Sequence, residues 1–380
     1  MILNLSISQN ELLTESNTQI EGSRLSRIFF KTILSSKAMS LTAQTLLDSP
    51  DYFPLRFEGA NLVFVKMTRS SYQQSIFTLP NRIATDGSET WTIPFSQIVS
   101  IVEQSNLDLP SPSVIFQMAH CGSTLLSRAL DQPQSSLVIR ESFALRQYCA
   151  APLPVGQHAV NTRKRGLNTL WTLLSRKYTA NENVLLKTNV PVNFALTEIN
   201  EYSPKLKGVM LYCSFAEYLV ATLKSEQRRA WAKHVVREMA QKIRSLETFS
   251  GLALETLSAA QATAILWLSQ IQYYHLAARQ NPKLLALNSK QLFEHPQSTL
   301  YACSEHLSLN IDRADSKRIA NGNIFSRHAK TPELSYTNEQ RIEDLTQLQV
   351  LYKNEIVQTL DWCELSRFDM HSDFTNHCLI

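Results

Sequence analysis

A stretch that follows the apolar residues 113–116 has the residue types of an anion-binding loop. Residues 117–132 read QMAHCGSTLLSRALDQ, in which Gly122 precedes the hydroxyl residues Ser123 and Thr124. A glycine lets the backbone approach a ligand closely, and the amide groups at the start of a helix have no partner within that helix. The two hydroxyl groups could cap the helix or bind phosphate oxygens. By itself the stretch fits a capped helix as well as a phosphate-binding loop.

The same stretch departs from the loop of nucleotide-hydrolysing enzymes, which reads Gly-x-x-x-x-Gly-Lys-Ser/Thr. It has neither the leading glycine nor the lysine, and His120 stands where such a loop usually carries a cation. These departures disfavour ATP hydrolysis. A histidine with an unperturbed pKa of about 6.5 is charged only at acidic pH. If His120 supplies charge to this loop, we therefore expect pH-sensitive activity.

Two further charged residues stand at the ends of apolar runs. Lys187 ends one such run, where a lysine is costly unless it meets water or an anion. Glu141 directly follows another and is a candidate general base, because an acceptor hydroxyl needs a base within hydrogen-bond reach. The alternative for Glu141 is an ion pair with Arg140 or Arg146, or a helix cap.

Short apolar runs alternate with helical stretches from residue 113 onward. Strands are predicted in residues 113–118, 136–141, 183–190, 206–214 and 283–289. This alternation is typical of a parallel sheet that helices cover on both faces. Since such sheets bind ligands at the carboxyl ends of their strands, we expect the functional residues directly after the strands.

The first 108 residues have a different character. Residues 51–101 cluster β-forming residues around turns, and residues 22–48 have apolar residues near helical spacing. The Pro/Ser-rich residues 108–113 mark the boundary. The sequence thus predicts a small α+β region over residues 1–108, whose role is open, and a second domain over residues 109–380.

Composition narrows the class of protein. The net charge of +4 is small for 380 residues and does not indicate a nucleic-acid partner. The basic stretch 224–244 also contains acidic and core-type residues, which favours a solvated amphipathic helix. The six cysteines are scattered, so neither a disulfide framework nor a metal site is expected. Without an apolar run of about 18 residues or a signal-peptide pattern, we expect a cytoplasmic protein with no membrane span.

Six pieces of the chain, in order, resemble sulfotransferases that use 3′-phosphoadenylyl sulfate (PAPS). They are HCGSTLLSRALDQPQ (120–134), VIRESF (138–143), LLKTNVP (185–191), GVMLYCSFAEYLVATLKS (208–225), LALNSKQLFEHPQSTLYACSEHLSL (285–309) and NIFSRHAK (323–330). The first piece resembles the loop for the 5′-phosphosulfate group, and the last stands near a basic loop for the 3′-phosphate. The resemblance covers residues 111–362. It implies a P-loop NTPase-like three-layer α/β/α fold with a mainly parallel sheet, in a divergent bacterial-type member with an extra N-terminal region.

The resemblance also implies roles for the matching residues. Lys187 would stabilise charge on the bridging oxygen of the donor, and Glu141 would be the catalytic base, with His120 as a further catalytic group. Thr222 would stand for the serine that contacts the 3′-phosphate. The residues implied in binding PAPS are His120, Cys121, Gly122, Ser123, Thr124, Thr222, Arg327, His328 and Lys330.

The chain departs from the family pattern at several places. His120 replaces a basic residue, Cys121 replaces a serine, and Asn189 stands where many members have the catalytic histidine. Cys213 or Ser214 stands where the arginine for the 3′-phosphate is expected, which weakens selection of that phosphate. The cations that could compensate are Arg327, His328 and Lys330, and also Arg228 and Arg229, for which the pattern favours a solvated helix face.

The sequence therefore predicts an enzyme that transfers a sulfuryl group from PAPS to a hydroxyl or amine of an unidentified small-molecule acceptor, without a metal. One alternative is a kinase-like phosphotransferase, which would need Mg²⁺ ligands, and no convincing aspartate follows a strand to supply one. The other alternative is a non-catalytic module on the same fold. A homodimer is left open.

Overall fold

The computed structural model of the chain describes residues 41–85, 87, 89–105, 111–370 and 374–380. Most of the predicted helical segment 22–48 and part of the predicted boundary at 108–113 lie outside these residues. The division of the chain after residue 108 stays a prediction.

The described N-terminal part is built on a small antiparallel sheet. Its strands are β1 (Tyr52–Glu58), β2 (Asn61–Lys66) and β3 (Thr90–Pro94), in that spatial order. Its helices are α1 (Ala43–Asp48), α2 (Arg69–Gln74) and α3 (Phe95–Ser105). Thr42 and Thr68 cap α1 and α2 with their hydroxyl oxygens, as expected for threonine before a first helical turn. The α+β character predicted for this region therefore holds for the residues that the structure describes.

Five short strands form the central sheet. They are β4 (Ser113–Gln117), β5 (Ser136–Arg140), β6 (Asn183–Lys187), β7 (Gly208–Tyr212) and β8 (Leu284–Asn288). Their spatial order is β5-β6-β4-β7-β8, and every neighbouring pair is parallel. All residues of β4, β5 and β7 are buried, which is typical of strands covered on both faces. The predicted α/β class with a parallel central sheet is confirmed.

Helices follow the strands and cover the sheet. They are α4 (Ser123–Ala129), α5 (Phe143–Ala150), α6 (Gln157–Leu174), α7 (Leu196–Tyr202), α8 (Phe215–Leu223), α9 (Glu226–Glu238), α10 (Ala240–Arg244), α11 (Ala259–Gln280), α12 (Ser289–Glu294), α13 (Pro296–Leu307), α14 (Arg313–Ala320), α15 (Asn338–Leu351) and α16 (Lys353–Leu365). No helix in the described part of the chain is long and apolar enough to cross a bilayer. The longest, α11, is buried along most of its length, and Ser258 with Gln261 forms a capping box at its start.

The N-terminal part and the central sheet share one apolar core. Phe53, Val65 and Tyr72 belong to the same buried cluster as Val114 and Ile115 of β4. A second cluster joins the N-terminal sheet to helix α6, through residues that include Leu62, Phe64, Leu170 and Leu173. The N-terminal part is therefore packed onto the main sheet, at the side where β5 and its following loop lie.

Candidate functional site

A cleft of about 1490 Å³ opens at the carboxyl ends of the central strands. Residues that follow each strand line it: His120 after β4, Glu141 after β5, Asn189 after β6, Cys213 after β7 and Ser289 after β8. This is where ligands bind in open parallel sheets. The structure therefore brings together at one edge residues that are far apart in the sequence, as predicted.

In the loop between β4 and α4, the backbone at position 122 has a conformation and a surrounding that suit only glycine. Gly122 has a φ of 81°, and a Cβ built there would lie 2.7 Å from Cζ of Phe293. His120 also has a positive φ, of 67°. The Ser123 hydroxyl donates to Oε1 of Gln117 at 3.1 Å, which ties the start of α4 to the end of β4.

Cys121 does not contribute its side chain to the cleft. Its thiol is buried and donates to the carbonyl oxygen of Met118 at 2.7 Å. Burial raises the pKa of this thiol to about 11, so it stays protonated at neutral pH. The predicted ligand role of Cys121 is thus limited to its backbone.

Lys187 and Glu141 form an ion pair in the cleft. The ammonium of Lys187 donates to Oε1 of Glu141, and the backbone N–H of Glu141 donates to the carbonyl oxygen of Lys187 at 2.7 Å. The Lys187 side chain is only 1% exposed, whereas that of Glu141 is 17% exposed. Glu141 adopts a positive φ of 62°, and such a backbone conformation is uncommon for a non-glycine residue. The pair is therefore accessible to a ligand chiefly from the side of the carboxylate.

The predicted alternative partners of Glu141 are engaged elsewhere. Arg140 binds Asp131 at 2.7 Å, and Arg146 binds Glu238 of α9 at 2.6 Å. The alternative in which Glu141 merely pairs with Arg140 or Arg146 is therefore wrong.

The basic loop 327–330 lines the cleft and contacts helix α4, which begins at the Gly122 loop. Arg128 of α4 holds the basic loop in place by donating from Nη1 to the carbonyl oxygen of Ala329 at 2.8 Å. Arg327, His328 and Lys330 all line the cleft, as predicted. Nδ1 of His328 is buried without a hydrogen-bond partner. Among the described residues, neither Arg327 nor Lys330 forms an ion pair with a carboxylate.

Arg228, one of the two α9 arginines that could compensate for the missing arginine, also lines the cleft. Its Nη1 donates to the carbonyl oxygen of Ala221 at 2.7 Å, and no ion pair to a carboxylate forms within the described ranges. Arg229, the next residue, points to Glu226 at 3.1 Å and to Tyr352 instead. The expectation that both arginines lie on a solvated face is therefore wrong for Arg228. Its spacing of three and seven residues from Trp231 and Val235, which also line the cleft, is the signal that could have found it.

His120 is neutral in this structure. Burial lowers its pKa to about 3, and the charges of Arg228 and Lys330 add to the effect. Its Nε2 is buried without a partner, and its ring contacts Trp231 edge-on at 6.0 Å. The expectation that a protonated His120 replaces the family's cation near pH 6.5 is therefore wrong for the protein without ligand. Burial and the two neighbouring cations disfavour the protonated imidazole.

Acid should destabilise the fold through His120. Its folded pKa of about 3 is below the value of about 6.5 in the unfolded chain, so between these pH values the unfolded chain binds a proton that the folded chain does not. Stability then rises with pH in this window, and lowering the pH from 7 to 5 should cost up to about 2 kcal/mol through this group. His120→Asn should lose about 2 kcal/mol less of its free energy of unfolding between pH 7 and pH 5, as measured by urea unfolding at both pH values. Equal losses in the two proteins would contradict the assignment.

Thr222 does not reach the cleft. Its side chain is completely buried in α8, and its hydroxyl donates to the carbonyl oxygen of Tyr218 at 2.9 Å. Ser214, at the position of the expected arginine, caps α8 in a capping box with Glu217. The prediction that Thr222 contacts a 3′-phosphate is therefore wrong, because the helix directs this residue into the core.

Asn189 lies in the wall of the cleft beside Lys187. It precedes the 3-10 turn Val190–Ala195, and its Oδ1 is buried without a hydrogen-bond partner. An amide has no proton to take or give at neutral pH, so it offers hydrogen bonding only. In the described part of the chain, no group of three or more His, Cys, Asp or Glu side chains could hold a metal ion.

Comparison with known proteins gives distant structural matches. No family model matches the chain, and no curated protein does. The sulfotransferase domain from the curacin biosynthetic pathway is 12% identical, with a TM-score of 0.36, over 69% of this chain and 99% of that one. A sulfotransferase from Mycobacterium avium is 10% identical, with a TM-score of 0.38, over 68% and 80%. A sulfotransferase from Alicyclobacillus acidocaldarius is 11% identical, with a TM-score of 0.33, over 69% and 98%.

These three proteins are sulfotransferases, the family that the sequence motifs resemble.

Proposed function

We propose that the cleft binds PAPS and that the protein transfers its sulfuryl group to a hydroxyl or amine of an acceptor. The observation that carries the proposal is the charge of the cleft. Lys187, Arg228 and Lys330 line it, and the Nζ atoms of Lys187 and Lys330 lie 5.0 and 5.6 Å from the centroid of one phenylalanine ring, that of Phe77. Eight lysine and arginine side chains line the cleft against four carboxylates, Glu141, Glu217, Glu339 and Asp344, and Glu141 is already paired with Lys187. Such an excess of cations in one cleft favours a ligand with several negative charges.

Two unpartnered nitrogens also fit an anion. Nε2 of His120 and Nδ1 of His328 are buried without a hydrogen-bond partner. A buried polar atom without a partner costs free energy, typically about 1–3 kcal/mol. Oxygen atoms of a phosphate or sulfate that accept from these rings would remove that cost. Burial lowers the pKa of both histidines, and nearby cations lower it further. A bound anion would offset the effect of the cations.

The proposed chemistry assigns separate tasks to Lys187 and Glu141. In sulfuryl transfer the bond from sulfur to the phosphate oxygen breaks, and a bond from sulfur to the acceptor oxygen or nitrogen forms. Lys187 would stabilise the negative charge that develops on the departing phosphate oxygen. Glu141 would accept the proton of the acceptor group. The charged ends of the two residues touch when no ligand is bound. Since sulfur lies between the departing oxygen and the acceptor during the transfer, the sulfuryl group would enter between the two side chains.

The acceptor side of the cleft is largely apolar. Trp231 and Val235 of α9 line the cleft on this side. At one end, Arg146 of α5 and Glu238 of α9 close the gap between their helices. These walls favour an acceptor whose body is apolar and whose hydroxyl or amine reaches Glu141.

A cytoplasmic location is part of the same proposal. All six cysteines are free thiols, and five of them are buried. Cysteines that are not joined in disulfides are typical of proteins in reducing compartments.

Calorimetric titration with adenosine 3′,5′-bisphosphate, the product left after sulfuryl transfer, tests the donor site. We expect micromolar binding, and no comparable binding of ATP with Mg²⁺. Arg228→Met should raise Kd at least tenfold, since a hydrogen bond to a charged group contributes about 1.5–3 kcal/mol. Arg229→Met is the matched control, because this neighbour is already paired with Glu226, and it should change Kd less than about twofold.

The other outcomes of this titration separate the alternatives. Binding of ATP with Mg²⁺ but not of the bisphosphate would replace the proposal with a phosphotransferase. Binding of neither nucleotide, by protein whose folding is verified by circular dichroism, would leave a non-catalytic module.

A further inference from the structure

A segment of the N-terminal part reaches into the cleft although it lies outside the stretch that resembles sulfotransferases. This segment, residues 69–82, is called the strap below. Phe77, Leu79, Asn81 and Arg82 of the strap line the cleft. The N-terminal part therefore forms one wall of the proposed site.

The strap is fixed to the end of strand β5. The guanidinium of Arg140 donates to the carbonyl oxygens of Tyr72, Gln73 and Ser75. In return, the backbone N–H and the hydroxyl of Thr78 donate to the carbonyl oxygen of Arg140, at 2.7 and 3.0 Å. Since Arg140 directly precedes Glu141, these bonds place Phe77 beside the Lys187–Glu141 pair.

The ring of Phe77 is surrounded by cations. Its centroid lies 5.0 Å from Nζ of Lys187 and 5.6 Å from Nζ of Lys330. The guanidinium carbon of Arg82 lies 5.3 Å from the same centroid. An aromatic face attracts cations within about 6 Å, and the attraction is larger where water is excluded. The Phe77 side chain is 4% exposed, so its ring is largely shielded from water.

The two lysines would otherwise oppose each other. Loss of surrounding water lowers the pKa of Lys330, and the charge of Lys187 lowers it further. The other charged groups that act on Lys330 are Glu141 after β5, Arg228 of α9 and Arg82 of the strap. Of these only Glu141 favours the ammonium form, and its carboxylate is held by Lys187.

We propose that Phe77 is a positioning residue of this site, whose ring holds Lys187 and Lys330 side by side as ammonium ions against the bound anion. The proposal deepens the proposed function, because the anion is taken to be the nucleotide donor. The proposal gives the N-terminal part a role in the site that its sequence does not indicate. Through Phe77, the N-terminal part would supply the uncharged aromatic face that allows Lys187 and Lys330 to bind one ligand.

The test compares two substitutions of Phe77 in the full chain. Phe77→Leu removes the aromatic face and keeps an apolar side chain of similar size, and Phe77→Tyr keeps the face. Without the ring, the bound anion must hold both ammonium groups in place unaided, at a cost of about 0.5–1 kcal/mol each, so the Kd for adenosine 3′,5′-bisphosphate should be about five- to thirtyfold higher in Phe77→Leu. Phe77→Tyr should stay within about twofold of the unsubstituted protein. The difference should widen toward pH 9, because Lys330 would lose its proton earlier without the ring.

A matched control comes from a second phenylalanine of the cleft. Phe143 has Arg146 at 6.0 Å from its ring, but this arginine is held by Glu238. Phe143→Leu should therefore leave the affinity for the bisphosphate and its pH dependence unchanged. Thermal unfolding of each variant shows whether a loss of affinity is a loss of folded protein. Equal weakening in Phe77→Leu and Phe77→Tyr, or none in either, would overturn the proposal.

A second measurement does not depend on the nucleotide. Lys330 lines the open cleft, and the residue as a whole is reachable from solvent although its ammonium lies beside the Phe77 ring. Reductive methylation with ¹³C-formaldehyde therefore makes its titration visible by NMR, and Lys330→Arg assigns the signal. The pKa of Lys330 should be lower in Phe77→Leu than in Phe77→Tyr. An unchanged pKa in Phe77→Leu would overturn the role of Phe77 even if the bisphosphate binds. Failure of the bisphosphate to bind, with the expected change in pKa, would overturn the proposed function alone.

Discussion

Replacement of Lys187 by Ala is expected to slow sulfuryl transfer by about 10²–10³-fold, the usual effect of removing one group that stabilises transition-state charge. Lys187 is buried, it ends β6 at the floor of the cleft, and it contacts the carboxylate of Glu141. The variant should also bind adenosine 3′,5′-bisphosphate more weakly, because it lacks one of the three cations, Lys187, Arg228 and Lys330, that would contact this anion. Steady-state kinetics with PAPS and an acceptor, together with calorimetry, measure both effects.

Glu141→Gln is the companion variant. It keeps the shape of the side chain and a hydrogen-bond acceptor for Lys187, but it removes the base. Turnover should be lost while the affinity for the bisphosphate changes little. An equal loss of affinity in Lys187→Ala and Glu141→Gln would mean that Glu141 acts by holding Lys187 and not as the base.

The framework of the site could be predicted because it depends on local pattern. Each strand of the central sheet is a short apolar run bounded by turns or helices, and residues that end a parallel strand meet at one edge whatever the strand order. The pattern predicts that Gly122, Glu141 and Lys187 lie at one edge of the sheet, and all three line the same cleft. It could not give the order β5-β6-β4-β7-β8, because the apolar runs are too similar to specify their neighbours.

The partners of the charged residues could not be predicted, because they depend on how helices are placed. Glu141 has two arginines within five positions in the sequence, yet it binds Lys187, 46 positions away. Arg228 and Arg229 are adjacent, but helical geometry sends one to the cleft and the other to Glu226. The neutral state of His120 depends in the same way on burial and on cations from α9 and the loop 327–330.

The contribution of the N-terminal part was beyond sequence reasoning for a related reason. Phe77 lies in a segment without a motif, and nothing in its neighbourhood indicates a cleft. Its position depends on Arg140, whose fully buried guanidinium collects carbonyl oxygens of the strap. A buried arginine is costly unless other groups pair with its charge. An arginine at the end of an apolar strand, such as Arg140 in β5, therefore indicates that another segment packs against that strand end.

Arg140→Met should therefore destabilise the protein by about 3–5 kcal/mol, as expected when one partner of a buried ion pair is removed. The Arg140 side chain is 1% exposed, and it binds Asp131 at 2.7 Å. Its loss leaves Asp131 with Arg69 alone and leaves the carbonyl oxygens of Tyr72 and Ser75 without this donor. The free energy of unfolding from urea titration measures the effect.

Arg56→Met is the matched control for that variant, because Arg56 pairs with Glu58 on the surface of β1, where the two side chains are 35% and 50% exposed. Exposed pairs contribute about 0–1 kcal/mol, so this variant should be nearly as stable as the unsubstituted protein. A loss in Arg140→Met no larger than in the control would mean that apolar packing of Tyr72, which is 1% exposed, holds the strap without the arginine. A loss of about 3–5 kcal/mol in the free energy of unfolding would instead mean that Arg140 holds the strap against the end of β5. Through the strap, Arg140 would then also hold the Phe77 ring beside Lys187.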